Sequence, residues 1–364
     1  MFKRRRNRLT AMLCAASLAI SALTLLQLQA VPARAGTTPD ALIGTQTDTS
    51  CGNGVYAVNT TLPKGFNPLT ATDAELIADN LPIRPTSAAD QAIWQRYVTH
   101  VPRSTCSFTP GTPATTAAVP TPTSAAAPAS SDTTTPNWAG WVADDHTYTD
   151  AYAYWNVPPV RLHAYKYEAH AVQWVGIGNG PASHPLVQAG SSETEYLDPG
   201  GHYFVFSIWW EVVPQISSSQ NVSLGVNDGD LIYVHVHVVK DDAVMTVIDE
   251  NDATSGRSGG TYSYKKGTFY PSSQAEWIIE RPEQWLGSHY YPPLLYSTTT
   301  FTSATASGTG VSRRGAGSLP RYSVAMWTCT SPREELAYAG GIASNHTTFA
   351  DYFKSSGHQD PASC

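Results

Sequence analysis

From Asn137 onward the chain predicts an all-β fold, an antiparallel sandwich of two sheets. Three features carry that expectation. Trp, Tyr, Val, Ile and Thr become frequent there, turn residues recur roughly every 8–12 residues, and no long helical period interrupts them. Alternation is explicit in Tyr203–Val213. Phe204, Phe206, Ile208, Trp210 and Val212 share one wholly apolar face, and Tyr203, Ser207, Trp209 and Glu211 share the other. The first face suits a core between two sheets and the second a wet groove. In Leu231–Val239 the residues Ile232, Val234, Val236 and Val238 again make a core face, opposite Tyr233, His235 and His237. Asn227-Asp228-Gly229-Asp230 supplies the preceding turn. Residues 137–364 are ample for one large sandwich domain.

Residues 1–35 read as a secretion signal. Lys3, Arg4, Arg5, Arg6 and Arg8 form a basic start, Leu9 to Leu28 supply an apolar run, and Ala33-Arg34-Ala35 forms a small-residue cleavage site before Gly36. The alternative is a single membrane anchor, because the apolar run is nearly long enough to span a bilayer. The cleavage site favours the signal, and no later segment approaches spanning length. A secreted, extracellular, monomeric protein with no membrane partner is the expectation.

The signal carries six of the 22 Lys+Arg and none of the 29 Asp+Glu, so removing it leaves a net charge of about −13. So acidic a surface repels nucleic acid, and no basic stripe with interleaved aromatics is present. Cys14 leaves with the signal, and Cys51, Cys106, Cys329 and Cys364 remain, an even set suited to two disulfides in an oxidising compartment. The pairing Cys51–Cys106 and Cys329–Cys364 closes each loop within one candidate domain. No C-x-x-C occurs, so zinc-ribbon and thioredoxin readings lack their cysteines.

Residues 109–136 are Pro, Thr, Ala, Ser and Gly apart from Val119 and Asp132. Such a stretch buries too little apolar surface to offset its ordering entropy and reads as a protease-accessible linker. Upstream, residues 36–108 hold two helical patterns, Ala71–Asn80 and Ala88–Thr99, with Thr72 and Ser87 as N-cap candidates. This piece is expected to be a pro-segment, inhibitory and released by cleavage in the linker, or else a small accessory domain.

Most hydrolase signatures fail. Gly256-Arg257-Ser258-Gly259-Gly260 matches G-x-S-x-G, but its flanks are turn-like and strand-like, whereas a nucleophile elbow needs a strand before and a helix after. There is no H-E-x-x-H. His235-x-His237 places two imidazoles on one strand face and would suit a metal. The sequence offers no recognisable third ligand, so the pair reads as ordinary surface or cleft histidines, and neither metal nor cofactor is expected. Carboxylates are more informative. In Ala275-Glu276-Trp277-Ile278-Ile279-Glu280, alternation puts Glu276, Ile278 and Glu280 on one face of a strongly apolar strand. A carboxylate in a partly apolar groove has a raised pKa and alternates between base and acid.

Several blocks together resemble a known family. Asn137-Trp138-Ala139-Gly140, Gln173-Trp174-Val175-Gly176-Ile177-Gly178, Leu186-Val187-Gln188-Ala189-Gly190, Trp209-Trp210-Glu211-Val212-Val213-Pro214, Gly229-Asp230 and Ala275–Glu280 come in the order found in glutamic peptidases, the eqolisins. The resemblance covers residues 137 to about 355. It implies a lectin-like sandwich of two curved antiparallel sheets with its site on the concave face, and an acid endopeptidase acting on polypeptides. It further implies Gln188 and Glu276 as the catalytic pair, with Trp174, Trp209, Glu211 and Glu280 lining the cleft. The implied cycle starts from ionised Glu276, which takes a proton from water. The Gln188 amide N–H steadies the oxyanion, and Glu276 then protonates the leaving amine. The sequence departs from the family pattern at Gly178-Asn179-Gly180, where an acid is missing, and at Val212-Val213, where aromatics are missing. At Leu295-Tyr296-Ser297 a D-F-G-like block is barely matched. Two rival readings stay open. One is a lectin-like module binding sugar across Trp174, Trp209 and Trp210. The other is a retaining glycosidase pairing Glu276 with Glu280 or Glu211, which needs carboxyls about 5–5.5 Å apart.

Overall fold

The computed structural model describes residues 43–110, 133–160, 168–179, 185–198, 200–216, 218–223, 225–252, 258–283, 289–294, 298–309, 311–354 and 360–361. The signal segment, most of the linker, Leu295-Tyr296-Ser297 and Cys364 lie outside the described residues.

In chain order the N-terminal piece gives β1 (Thr45–Gly52), β2 (Val55–Thr61), α1 (Asp73–Ala78), α2 (Ala88–Val98) and β3 (Thr109–Pro110). The sandwich begins with β4 (Thr133–Thr135), β5 (Trp138–Ala143), β6 (Tyr148–Asn156), β7 (Ala169–Ile177), β8 (Leu186–Asp198) and β9 (Gly201–Val213). It goes on through β10 (Gln220–Ser223), β11 (Leu231–Val239), β12 (Asp242–Asp249), β13 (Gly259–Tyr264), β14 (Ala275–Glu280) and β15 (His289–Tyr290). The last strands are β16 (Thr298–Gly308), β17 (Val311–Gly315), β18 (Arg321–Trp327), β19 (Glu335–Ala339), β20 (Phe349–Phe353) and β21 (Asp360–Pro361).

The all-β expectation holds, as two sheets packed face to face. A front sheet runs β10–β9–β8–β7–β14–β5–β18, every neighbouring pair antiparallel, and continues through β19 and β20. A rear sheet runs β2–β13–β12–β11–β6–β16. Between them lies the main core. Val175, Ile177, Val187, Ala189, Trp210, Val212, Trp277 and Ile279 face it from the front, and Ile232, Val234, Val236, Met245 and Val247 from the rear. Alternation predicted this for Leu231–Val239 and for Ile208, Trp210 and Val212, whereas Phe206 is only partly buried against the core and Phe204 packs on a separate small cluster with Ala169, Ala171 and Leu294. One strand serves both sheets. Thr298–Phe301 of β16 pairs with β20 and Thr302–Gly308 pairs with β6, with Ser303 between them in a left-handed conformation (φ 52°). The 258–264 segment continues as a strand, not a helix, so the G-x-S-x-G match lacks its elbow.

The N-terminal piece forms both expected helices. Thr72 and Glu75 make a full capping box on α1, and the Ser87 hydroxyl caps α2. The hairpin β1–β2 was not anticipated. Its turn needs Asn53 (φ 51°) and Gly54 (φ 86°), the positive-φ pair of a tight hairpin. Strand β2 then pairs with β13 and extends the rear sheet. Leu76, Trp94 and Tyr97 bury against Tyr154, Tyr233 and Ile248 on the outer side of that sheet. The Tyr154 hydroxyl donates to Ile83 C=O at 2.6 Å and lies 2.9 Å from Glu250 Oε1. The Ser104 hydroxyl accepts from Thr261 N–H and donates to Val58 C=O, both at 2.9 Å. Cys51 and Cys106 form the expected disulfide. Cys329 is also disulfide-bonded, and its expected partner Cys364 lies outside the described residues. Both described ends of the linker are strands: β3 pairs with β10, and β4 lies parallel to β18.

Candidate active site

The front sheet has a second, outer apolar layer. Trp138, Val142, Val172, Trp174, Leu186, Trp209, Val213, Ile278, Tyr322 and Val324 pack there, on the side away from the main core. The expected cleft residues stand among them, because strand register carries them to one face. Across β9, β8, β7 and β14, the residues Glu211, Gln188, Gly176 and Glu276 are direct cross-strand partners. The next row of the same face is Trp209, Gly190, Trp174 and Ile278, and a third includes Val172, Glu280 and Trp138.

Gln188 and Glu276 therefore stand two strands apart, about 9.5 Å between Cα atoms, with a glycine between them. Gly176 carries no side chain, and Trp174 and Leu186 pack over it. A Cβ there would meet Trp174 Cζ3 at 2.8 Å and Leu186 Cδ1 at 3.0 Å. Sequence reading included Gly176 in a motif but gave it no part in the site. Cross-strand register, which the sequence does not encode locally, assigns it one.

Gln188 and Glu276 are both fully buried. Gln188 Nε2 donates to Glu211 Oε2 at 3.3 Å, which anchors the amine end of the amide, and Gln188 Oε1 has no partner among the described residues. Both oxygens of Glu276 also lack partners. Its pKa is raised well above the ordinary carboxylate value, by burial first and then by the charge of Glu280. Glu280 itself is held, accepting from Trp174 Nε1 at 2.8 Å and from Asn137 Nδ2 at 3.4 Å. Two carboxyls on one strand face are thus in unlike settings, one bonded and one bare. Trp209 Nε1 and Trp138 Nε1 on this face are likewise buried without partners among the described residues.

Three expectations need correction. The Trp209 face is not a wet groove. Trp209 is 4% exposed and Glu211 1%, because the outer tryptophans and Leu186 close over one another. Trp210 belongs to the main core, so Trp174, Trp209 and Trp210 do not form one sugar platform. Glu276 and Glu280 are four residues apart along one strand, about 13 Å between Cα atoms, and three strand spacings, about 14 Å, separate Glu276 from Glu211. Neither pair is placed by its backbone for a retaining glycosidase.

The inner face of β8 carries a different polar set. Glu193 accepts from Gln173 Nε2 at 2.8 Å, Ser191 Oγ donates to Gln173 Oε1 at 2.8 Å, and Trp155 Nε1 donates to Ser191 Oγ at 2.9 Å. Burial pushes the Glu193 carboxyl up to about 8.

Comparison with known proteins defines the class, a glutamic-type endopeptidase, a hydrolase whose substrates are polypeptides. The chain belongs to the Peptidase A4 family, whose model matches residues 136–325, more than half of the sequence. Among solved structures the chain is similar to scytalido-glutamic peptidase with a transition state analogue inhibitor, at 16% identity and TM-score 0.45 over 60% of this chain and 98% of that one. It is similar to SCP-B, an eqolisin in complex with a tripeptide, at 18% identity and TM-score 0.42 over 60% and 98%. It is also similar to aspergilloglutamic peptidase from Aspergillus niger, at 19% identity and TM-score 0.39 over 51% and 99%. No curated protein matches the chain.

Proposed function

We propose that the chain is a secreted endopeptidase working at acid pH, with Glu276 as its sole proton carrier and Gln188 as the partner that orients water. One observation carries this reading. Both oxygens of Glu276 and the carbonyl end of Gln188 are buried without partners among the described residues, on the two strands that flank Gly176. No helix among the described residues is long and apolar enough to cross a membrane.

The proton position at rest differs from the cycle the family resemblance implies. Burial and Glu280 favour Glu276 as the neutral acid, so the cycle starts there. Neutral Glu276 donates through one oxygen to the scissile carbonyl oxygen. Gln188 Oε1 accepts from a water and holds it over the carbonyl carbon. As the water attacks, Glu276 passes its proton to the carbonyl oxygen and takes a water proton at its other oxygen, giving a neutral gem-diol. Glu276 then protonates the amide nitrogen, the C–N bond breaks, and a diol hydroxyl returns a proton to Glu276. A carboxylic acid and an amine leave, and the enzyme is as it began. Gln188 Nε2 keeps a second hydrogen to steady the carbonyl oxygen, a contribution of roughly 3–4 kcal/mol where such a donor has been removed. Glu211 positions Gln188, and Trp174 with Glu280 sets the charge beside Glu276.

The N-terminal piece is better read as an accessory brace than as a plug. It is stitched to the outer side of the rear sheet, and the main core separates it from Glu276. A chain cut within the linker is then expected to keep 42–108 attached and to gain little activity from the cut.

The test is cleavage of a denatured protein at acid pH, read by mass spectrometry. kcat/KM is expected to fall as pH rises through the Glu276 ionisation. A rate that rises through it instead restores the ionised-base cycle, and no cleavage at any pH refutes the peptidase site.

A further inference from the structure

We propose that Asp150, His235 and His237 form a binding site for a zinc-class divalent ion on the outer face of the rear sheet, apart from the peptidase site. The sequence presents the two histidines on one strand face without a third ligand, and the fold supplies it from 85 residues upstream. Strands β6 and β11 are antiparallel neighbours, with Asp150 directly opposite His237. His235 Nε2 lies 3.1 Å from Asp150 Oδ1, and His237 Nδ1 lies 2.7 Å from the same oxygen. The three donor atoms all fall within 4.8 Å of one another. A tetrahedral zinc ion with bonds of about 2.0–2.1 Å holds its ligand atoms about 3.3 Å apart, so both contacts to Asp150 need only a slight opening to accept one.

The surroundings are those of a built site. Thr149 Oγ1 at 2.7 Å and Ser307 Oγ at 3.4 Å donate to Asp150 Oδ2, which fixes the carboxylate and leaves Oδ1 aimed between the imidazoles. The Tyr152 ring stacks on His235, with centroids 4.2 Å apart, and the Tyr152 hydroxyl donates to Asp150 Oδ1 at 3.2 Å. The His235 side chain is 7% exposed, and His237, at 33%, leaves one side open for an ion to enter and a water to complete the shell. Asp242 lies near His237 and adds negative charge, while Arg313 near Tyr152 is paired with Asp73. A neutral imidazole binds by moving its hydrogen to the other ring nitrogen. The ion would clip β6 to β11 and take no part in hydrolysis, since the main core lies between it and Glu276.

The experiment uses the untagged full chain, stripped with EDTA, desalted and titrated calorimetrically with zinc chloride at about pH 7.5, where unperturbed histidines are neutral. Wild type is expected to take up one equivalent saturably and to melt at a higher temperature with zinc than without. His237→Ala, a partly exposed position, and Asp150→Asn should each bind at least about tenfold more weakly while folding normally and cleaving peptides as wild type does. Absence of stoichiometric uptake by wild type, or wild-type affinity in both variants, would overturn the site. Wild-type circular dichroism in His237→Ala separates a lost ligand from a lost fold.

Discussion

The two outer faces of the sandwich are both aromatic, yet they differ in how their polar atoms are met by the rest of the chain. On the rear face, donors and acceptors meet those of the N-terminal piece. Tyr154 meets Ile83 and Ser104 meets Thr261, although the Tyr233 and Thr305 hydroxyls, one Glu250 oxygen and, in the covering piece, one Asp79 oxygen stay unpaired among the described residues. On the front face the unpaired atoms gather along one row and beside it, at Glu276, Gln188, Trp209 and Trp138. Each buried unpaired group costs about 1–3 kcal/mol, so a face that concentrates them gives up stability where a ligand can repay it.

The largest expected effect is Glu276→Gln, which keeps shape and removes the only proposed proton carrier. Peptidase activity should vanish while thermal unfolding stays near wild type. Near wild-type activity in a folded variant ends the assignment, and a dead Glu280→Gln would move the role four residues along β14. Gln188→Ala should lower kcat by at least about two orders of magnitude. Gly176→Ala comes next. Its methyl finds the position already occupied and pushes on Trp174 and Leu186 beside the pair, and kcat/KM is expected to fall on the order of tenfold. Unchanged kinetics would mean that the packing over Gly176 does not position the pair.

That glycine also shows how far the sequence could be read. Alternation in Ala275–Glu280 is local, so the shared face of Glu276 and Glu280 was legible at once. The row Gln188–Gly176–Glu276 depends on which strands pair and in what register, a long-range property. The hairpin β1–β2 was missed although Gly52-Asn53-Gly54 advertises its turn, because β1 is polar and exposed and gives no clear apolar alternation. The third ligand for His235 and His237 was hidden for the register reason again. The wet-groove expectation for Trp209 failed because alternation tells faces apart but not what covers them.

Smaller effects test the interior and the rear. Glu193 has its folded pKa raised from 4.5 to about 8 by burial, so between those values the unfolded chain releases a proton that the folded chain keeps. Stability is therefore full below about pH 4.5 and falls as pH rises toward about 8, by up to about 1.4 kcal/mol per pH unit for such a group. Melting temperature against pH should show a fall of that sign, and Glu193→Gln should make it shallower, the rest coming from other buried carboxyls such as Glu276, Glu250 and Asp351; a wild type most stable at pH 8 contradicts the assignment. Smallest is Tyr154→Phe, which loses the link to Ile83 and should cost about 1–2 kcal/mol in denaturant unfolding with kcat/KM unchanged. A fall in kcat/KM there would show that the two faces are not independent.

Strand β16 sets a limit on that independence. Since one half of it belongs to each sheet and the turnover is made at a single residue, Ser303, neither sheet can slide over the other without tearing its own ladder. The strand works like a dowel through two boards: shear between the layers is blocked, and breathing that opens one board must loosen the other. Amide protons on the two halves of β16 should accordingly exchange with deuterium as one group, at the rate set by opening of the whole sandwich.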